Sequence, residues 1–183
     1  MDNYVIIMIK YNNNTINKLA TDATVNKMYY GSNVVYIAPP LVEPSYKATI
    51  ITTTDDVIHV SNNGSDVLTR AEISGAVTSL ASIKKITVGE CVTTIGDRGL
   101  FYMDNCLIID LPNTITSLGQ QGIYYDNKLT AIYFRSITPP QLDYSIGFYN
   151  TNNCPIYVPA DSVNAYKAAK VWSNVASRIQ AIP

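Results

Sequence analysis

A 23-residue repeat occupies the sequence between Ile83 and Phe148, and this period constrains the fold more than any other feature. The step joins apolar residues to apolar residues and glycines to glycines. The matched sets are Ile86, Ile109 and Ile132; Val88, Leu111 and Phe134; Leu100, Ile123 and Ile146; Tyr102, Tyr125 and Phe148; Gly96 and Gly119; Gly99 and Gly122. A fixed period in this range is typical of solenoids, in which each repeat stacks on the next.

Each repeat contains a short segment in which an apolar residue, a variable residue and a second apolar residue follow one another. The segments are Ile86-Thr87-Val88, Ile109-Asp110-Leu111 and Ile132-Tyr133-Phe134. In a strand, alternate side chains point to opposite faces of the sheet. The pattern therefore predicts short strands that stack into a parallel sheet, with the apolar residues in the core and the middle residue on the other face.

The first part of the chain does not share this period and is predicted to be β-rich. A hairpin is expected from Lys27–Tyr30 and Val34–Ile37, because Gly31-Ser32-Asn33 between them favours a turn. Further strands are predicted at Val5–Ile9, Ala48–Thr53 and Val57–Val60. His59, the only histidine, is interpreted as a structural residue of the last strand. The expected domains are residues 1–66, a β-rich N-terminal region, and residues 67–183, the repeats with a cap.

Both ends of the repeat region are predicted to be atypical, as end repeats usually are. Residues 68–80 are interpreted as a shortened first repeat, because Ile73, Val77 and Leu80 have the spacing of Val88, Val92 and Ile95. At the other end, Ile156-Tyr157-Val158 forms a last strand. Residues 160–171 then show helical spacing and predict a capping helix, with Trp172 as its apolar plug.

The composition excludes several classes of function. A net charge of −1 with 15% charged residues gives no basis for binding nucleic acid or an anionic surface. No apolar run is long enough for membrane insertion, and Val5–Ile9 is too short for the core of a signal peptide. Three widely spaced cysteines indicate neither disulfides nor a metal site. No catalytic motif is present, so we expect neither an enzyme nor a cofactor.

Two groups of side chains remain open to a binding role. The aromatic pairs Phe101-Tyr102 and Tyr124-Tyr125 fit an outer packing layer, and they also fit a ladder on which sugars stack. The acids Asp97, Asp104, Asp110 and Asp126 are interpreted as solvated loop residues. A calcium site near Asp104 and Asp126 is the alternative, although calcium requires many oxygen ligands.

The repeat resembles the BspA-type leucine-rich repeat of anaerobic bacteria. The resemblance is carried by Ile86-Thr87-Val88, Val92-Thr93-Thr94-Ile95-Gly96 and Gly99-Leu100, and by the second copy at residues 109–119. It extends over roughly residues 68–182. It implies a curved solenoid with a parallel sheet, no catalytic residues, and a surface or secreted adhesin-like role toward host proteins or other cells. The sequence departs from the family in two respects. In the third repeat, Pro139-Pro140-Gln141-Leu142 replaces the apolar residue and glycine of the turn, and we find no export signal of the kind that surface proteins need.

The first functional hypothesis is a non-catalytic module that binds a protein or carbohydrate on host or neighbouring cells. Its concave face would be formed by the strand residues that point away from the core. These residues are Lys85, Thr87, Asp110, Tyr133, Arg135 and Tyr157. Tyrosine and arginine are common anchors of interfaces, and solenoids bind ligands on such extended surfaces.

The alternative hypothesis is a component of a phage or prophage virion. Residues 25–36 resemble short segments of bacteriophage tail proteins, and the missing export signal is compatible with that role. The first sixty residues would then dock onto a larger particle, and the repeats would bind the receptor.

Overall fold

The computed structural model describes residues 27–30, 33–36, 45–142 and 148–183. The chain divides into two compact units, Met1–Glu43 and Pro44–Pro183. The division lies earlier than the boundary expected near residue 66, because the strands that follow Pro44 pair directly with the repeats. The strand predicted at Val5–Ile9 falls outside the described residues.

In the first unit, β1 (Lys27–Tyr30) and β2 (Asn33–Tyr36) form an antiparallel hairpin. Lys27 pairs with Tyr36 and Tyr30 pairs with Asn33. The hairpin predicted from the Gly31-Ser32-Asn33 turn is therefore confirmed, with its second strand one residue earlier than expected.

The second unit is a strand-rich α+β fold with few helices. Its strands are β3 (Tyr46–Thr52), β4 (Val57–Ser61), β5 (Val67–Leu68), β6 (Ile83–Val88), β7 (Thr94–Ile95), β8 (Leu100–Phe101), β9 (Ile108–Leu111), β10 (Ser117–Leu118), β11 (Ile123–Tyr124), β12 (Ala131–Phe134), β13 (Gln141–Leu142), β14 (Ile156–Val158) and β15 (Ile179–Ala181). Its helices are α1 (Arg70–Ala76), α2 (Val163–Ala168) and 3-10 segments at Leu80–Ser82, Ala160–Ser162 and Trp172–Arg178.

The largest sheet has seven strands in the order β15-β14-β12-β9-β6-β3-β4. The strands from β6 to β15 are parallel, whereas β3 is antiparallel to both β6 and β4. Ile86 pairs with Ile109, and Ile109 pairs with Ile132. Residues that lie 23 positions apart in the sequence are thus paired in neighbouring central strands, as the pattern predicts.

Two smaller parallel sheets follow the same register on the other sides of the core. One has the order β13-β10-β7-β5, and the other pairs β11 with β8. In the first, Ile95 pairs with Leu68 and Leu118, and Leu118 pairs with Leu142. The main-sheet residues Ile86, Ile109, Ile132 and Ile156 are fully buried in the same core.

The segment before the first full repeat differs from the expected shortened repeat. Ile73 lies in α1, and Leu68, rather than Leu80, occupies the position of Ile95 and Leu118. Thr69 caps the helix: its side chain accepts the Glu72 amide, and the Glu72 carboxylate accepts the Thr69 amide. The spacing of Ile73, Val77 and Leu80 fits a helix as well as a repeat. The capping box stabilises the start of a helix, and the segment is therefore helical.

The C-terminal segment also differs from the predicted single capping helix. The α-helix is limited to Val163–Ala168, and β15 extends the main sheet beyond β14. Trp172 is 1% exposed, and its Nε1–H donates to the Pro140 carbonyl at 2.8 Å. Its burial against Phe134 and Tyr166 agrees with the predicted plug.

The 23-residue period predicts that Phe148 continues the series of Tyr102 and Tyr125, but the structure places Phe148 elsewhere. Phe148 is buried beside Phe134 and Trp172, while Tyr149 stacks on Tyr124. Two additional residues between Phe134 and Phe148 shift this side of the third repeat, so that Asn150 takes the position of Tyr125. Their backbone φ angles, 54° for Asn150 and 60° for Tyr125, support this assignment.

Candidate functional site

One side chain from each strand of the main sheet lies in a single row on the face opposite the core. We call this set the outer row. Its members, in order across the sheet, are His59, Thr49, Thr87, Asp110, Tyr133, Tyr157 and Gln180. All are partly or largely exposed, whereas most of their core-facing neighbours are buried. With strands roughly 4.8 Å apart, the row extends over about 29 Å.

The centre of the row is held together by an ion pair and stacked rings. Arg135 donates from Nε and Nη2 to the two oxygens of Asp110, each at 2.8 Å. Tyr133 and Tyr157 stack with ring centroids 5.0 Å apart, and the Arg135 guanidinium carbon lies 5.9 Å from the Tyr133 centroid. These contacts fix the side chains of four neighbouring residues, which reduces the entropy lost when a ligand binds.

The electrostatics of this centre favour a fixed ion pair. The hydrogen bonds to the Asp110 carboxylate raise the pKa of Arg135 further above its ordinary value, so the guanidinium stays charged. A bidentate arginine–carboxylate pair has a defined geometry as well as favourable energy. Arg135 is half-exposed and Asp110 is mostly covered, so the surface here presents a positive planar group beside two aromatic rings.

The six predicted site residues all lie on this face, but only some of them come together. Asp110, Tyr133, Arg135 and Tyr157 are in contact. Thr87 pairs with Asp110 across the strands, and Lys85 lies on the neighbouring row, paired with Ile108.

Sequence reasoning missed three members of the outer row: His59, Thr49 and Gln180. The His59 ring stacks on the Tyr46 ring with centroids 3.9 Å apart, and His59 Nδ1 lies 3.1 Å from the Thr49 hydroxyl oxygen. The signal for Gln180 is present in the sequence, because Ile179-Gln180-Ala181 follows Ile156-Tyr157-Val158 by the same step that separates the repeats. His59 is exposed on the outer face, so the interpretation of it as a structural residue overlooks its place in the row.

A second aromatic group lies away from the outer row, on the turns that carry β8 and β11. We call it the tyrosine surface; its members are Phe101, Tyr102, Tyr124, Tyr125 and Tyr149. Phe101, Tyr124 and Tyr149 form one stacked column with centroids 5.6 and 5.4 Å apart. Tyr102 and Tyr125 form another, at 5.1 Å. Tyr124 lies between the two other rings of its column, and both Tyr124 and Tyr125 are partly exposed.

Two tyrosines of this surface have a strained backbone. Tyr102 and Tyr125 have φ angles of 59° and 60°, in the left-handed region that costs an L-residue other than glycine or asparagine about 1 kcal/mol. The third repeat places Asn150 in the same conformation. A residue better suited to this turn is thus already used in the chain, so the turn alone does not explain the two tyrosines.

The acidic residues do not assemble into the calcium site considered above. Asp126 is fully buried, which corrects its interpretation as a solvated loop acid, and its Oδ1 accepts the Met103 amide at 2.6 Å. Asp97 Oδ1 accepts the Gln120 amide, and Asp110 is paired with Arg135. Within the ranges that the structure describes, no group of three histidine, cysteine or acidic side chains could hold a metal.

Comparison with known proteins does not assign the chain to a family. No protein-family model matches the chain, and no curated protein matches it at a significant level. In the part of the chain that the structure describes, none of the helices has the length and apolar character needed to cross a membrane.

Proposed function

We propose that residues 67–183 form a leucine-rich-repeat solenoid of the BspA type. The proposal is supported by the constant register of β6, β9 and β12 and by the smaller parallel sheets that follow the same windings. Each winding buries apolar side chains against the next, so that no winding is stable alone. Strands β3 and β4 would then close the first end of the solenoid.

On this architecture, we propose a non-catalytic module of adhesin type that binds a protein or glycan through the outer row. The observation that carries the proposal is the unbroken row of polar and aromatic side chains over seven strands. At its centre, Tyr133, Tyr157 and Arg135 belong to the residue types most often found as anchors of interfaces. Their mutual contacts preorganise them for a ligand from a host or neighbouring cell.

The experiment is a binding screen of the full chain against matrix proteins and glycans, followed by variants of the row. Tyr133→Ala, Arg135→Ala and Tyr157→Ala are each expected to weaken capture of the selected ligand at least tenfold. Their melting temperatures should change little, because these side chains lie outside the core. Lys167→Ala, on the exposed side of α2, is the matched control and should bind normally.

Two results would argue against the outer row as the binding site. One is capture that is unchanged in all three row variants. The other is an equal loss of capture in the Lys167→Ala control.

The virion component remains a second proposal. Its support is the division of the chain after Glu43, which separates residues 1–43 from the unit that carries the row. In this proposal residues 1–43 dock on the particle. Tail or capsid genes beside the coding sequence would favour it, whereas an export signal in the full reading frame would favour the adhesin.

A further inference from the structure

The tyrosine surface has features that packing alone does not require. Tyr102 is 45% exposed and Tyr149 is 55% exposed, although tyrosine rings that serve only the core are usually covered. Tyr102 and Tyr125 also hold a left-handed backbone that Asn150 provides more easily in the next repeat. Backbone strain at an exposed aromatic group is a reason to consider a binding role.

The spacing of the rings suggests a ligand that is itself a repeating chain. Within each column, successive rings lie 5.1 to 5.6 Å apart, one per repeat, and each tyrosine adds a hydroxyl group to its ring. This step is about the length of one sugar residue in an extended oligosaccharide. In an extended peptide, groups on the same side recur roughly every 6.6 Å, which fits the rings less well.

The hydroxyl groups are close enough to influence one another. Partial desolvation and the neighbouring hydroxyls of Tyr125, Tyr149 and Tyr102 raise the pKa of Tyr124. A tyrosine hydroxyl is protonated at neutral pH and can both donate and accept a hydrogen bond. Sugars offer the same combination of hydroxyl groups and apolar C–H edges.

A positive charge marks one end of the surface. The guanidinium groups of Arg70 and Arg98 lie 5.6 and 5.8 Å from the Phe101 ring centroid. Arg98 is exposed, and its Nε donates to the Gln121 side chain at 2.9 Å. That bond aims the planar guanidinium, whose Nη groups suit the two oxygens of a carboxylate.

From these observations we propose that the tyrosine surface binds an acidic oligosaccharide. Its sugar rings lie along Tyr102, Tyr124, Tyr125 and Tyr149, and a carboxylate of a terminal sugar pairs with Arg98. Gln121 occupies the position of Arg98 in the next repeat and has the same left-handed backbone, at 56° against 53°. The arginine therefore adds a charge preference at the first repeat alone.

The experiment measures binding of the full chain to trigalacturonate and to its methyl ester, which has the same sugar chain without the charge. The acid is expected to bind at least fivefold more tightly than the ester. Arg98→Gln, which copies Gln121 and leaves Arg70 in place, should reduce that difference and keep binding of the ester. Tyr102→Asn and Tyr125→Asn, which copy Asn150, should weaken both ligands at least tenfold.

The asparagine variants also separate binding from folding. They relieve the strained backbone, so their melting temperatures should equal or exceed that of the wild type. Lys167→Ala, outside both the outer row and the tyrosine surface, should leave trigalacturonate binding unchanged. The proposal is overturned if neither sugar binds, if the asparagine variants bind normally, or if a hexaglutamate peptide binds as well as trigalacturonate.

Discussion

At the scale of single residues, Asp126 is the most unusual group in the described part of the chain. The carboxyl is fully buried, with one oxygen on the Met103 amide and no partner for the other among the described residues. Burial raises its pKa to about 8, and the hydrogen bond from the Met103 amide and the charge of Arg70 oppose that shift only in part. The folded protein therefore keeps Asp126 protonated at pH values where the unfolded chain, with a pKa near 3.9, has released the proton.

This shift predicts that the free energy of unfolding falls as the pH rises from about 4 to about 8. In that window the native state holds a proton that the unfolded state lacks; above about 8 the contribution is lost and the slope ends. Asp126→Asn cannot titrate, so its stability should be flatter over the window and should exceed that of the wild type by about 1 kcal/mol or more at pH 9. Urea denaturation at each pH provides the measurement.

Asp161→Asn, at an exposed acid that is not among the groups acting on Asp126, is the control and should keep the slope of the wild type. A slope of equal size in Asp126→Asn and the wild type would show that Asp126 is not the group responsible.

At the scale of elements, the residue that follows β6 lies tightly against the start of β3. The Gly89 amide donates to the Lys47 carbonyl at 2.9 Å, and a Cβ at Gly89 would lie 1.9 Å from the Tyr46 carbonyl oxygen. A backbone atom cannot move aside as the end of a side chain can. Glycine is therefore required where the antiparallel hairpin joins the parallel strands.

Gly89→Ala is expected to destabilise the protein by about 2 to 3 kcal/mol, as overpacking of a well-packed site does. Gly75→Ala is the matched control, because a Cβ at Gly75 meets nothing within 4 Å. It lies in α1 and should stabilise the protein by about 0.5–1 kcal/mol. Chemical denaturation of both variants provides the measurement, and equal effects would contradict the close approach.

The elements that are predictable from sequence are those whose apolar pattern fits only one kind of secondary structure. The strands β6, β9 and β12 repeat an apolar period that only stacking satisfies. Helix α1 is not predicted, because the spacing of Ile73 and Val77 suits both a helix and a repeat, and only the Thr69–Glu72 capping box distinguishes the two. The position of Phe148 is predicted wrongly because the third repeat contains inserted residues: Gln141 pairs with Ser117 (141 − 117 = 24), and Tyr149 stacks on Tyr124 (149 − 124 = 25).

The candidate site is also predictable only in part from the sequence. Alternation within the strands is sufficient to place Asp110, Tyr133 and Tyr157 on one face. Alternation does not show that Arg135, beyond the end of β12, reaches back to Asp110. It also does not show that an antiparallel hairpin extends the row to Thr49 and His59, since pairing between strands far apart in the sequence is a property of the whole fold.

At the scale of the whole molecule, both the core and the outer row depend on one register maintained through the central strands. That register places Ile86, Ile109 and Ile132 in one buried series and Thr87, Asp110 and Tyr133 in one exposed series. The apolar series supplies the stability and the exposed series supplies the surface. A shift of one residue between two strands would exchange the two faces.

The most direct test is a nuclear Overhauser experiment on the isotopically labelled full chain. Parallel strands lie roughly 4.8 Å apart, so protons of paired residues come close enough to give cross-peaks. We expect backbone cross-peaks that join β6 to β9 and β9 to β12 in the register that pairs Ile86 with Ile109 and Ile109 with Ile132. Cross-peaks that join these strands in another register, or none between them, would contradict this architecture.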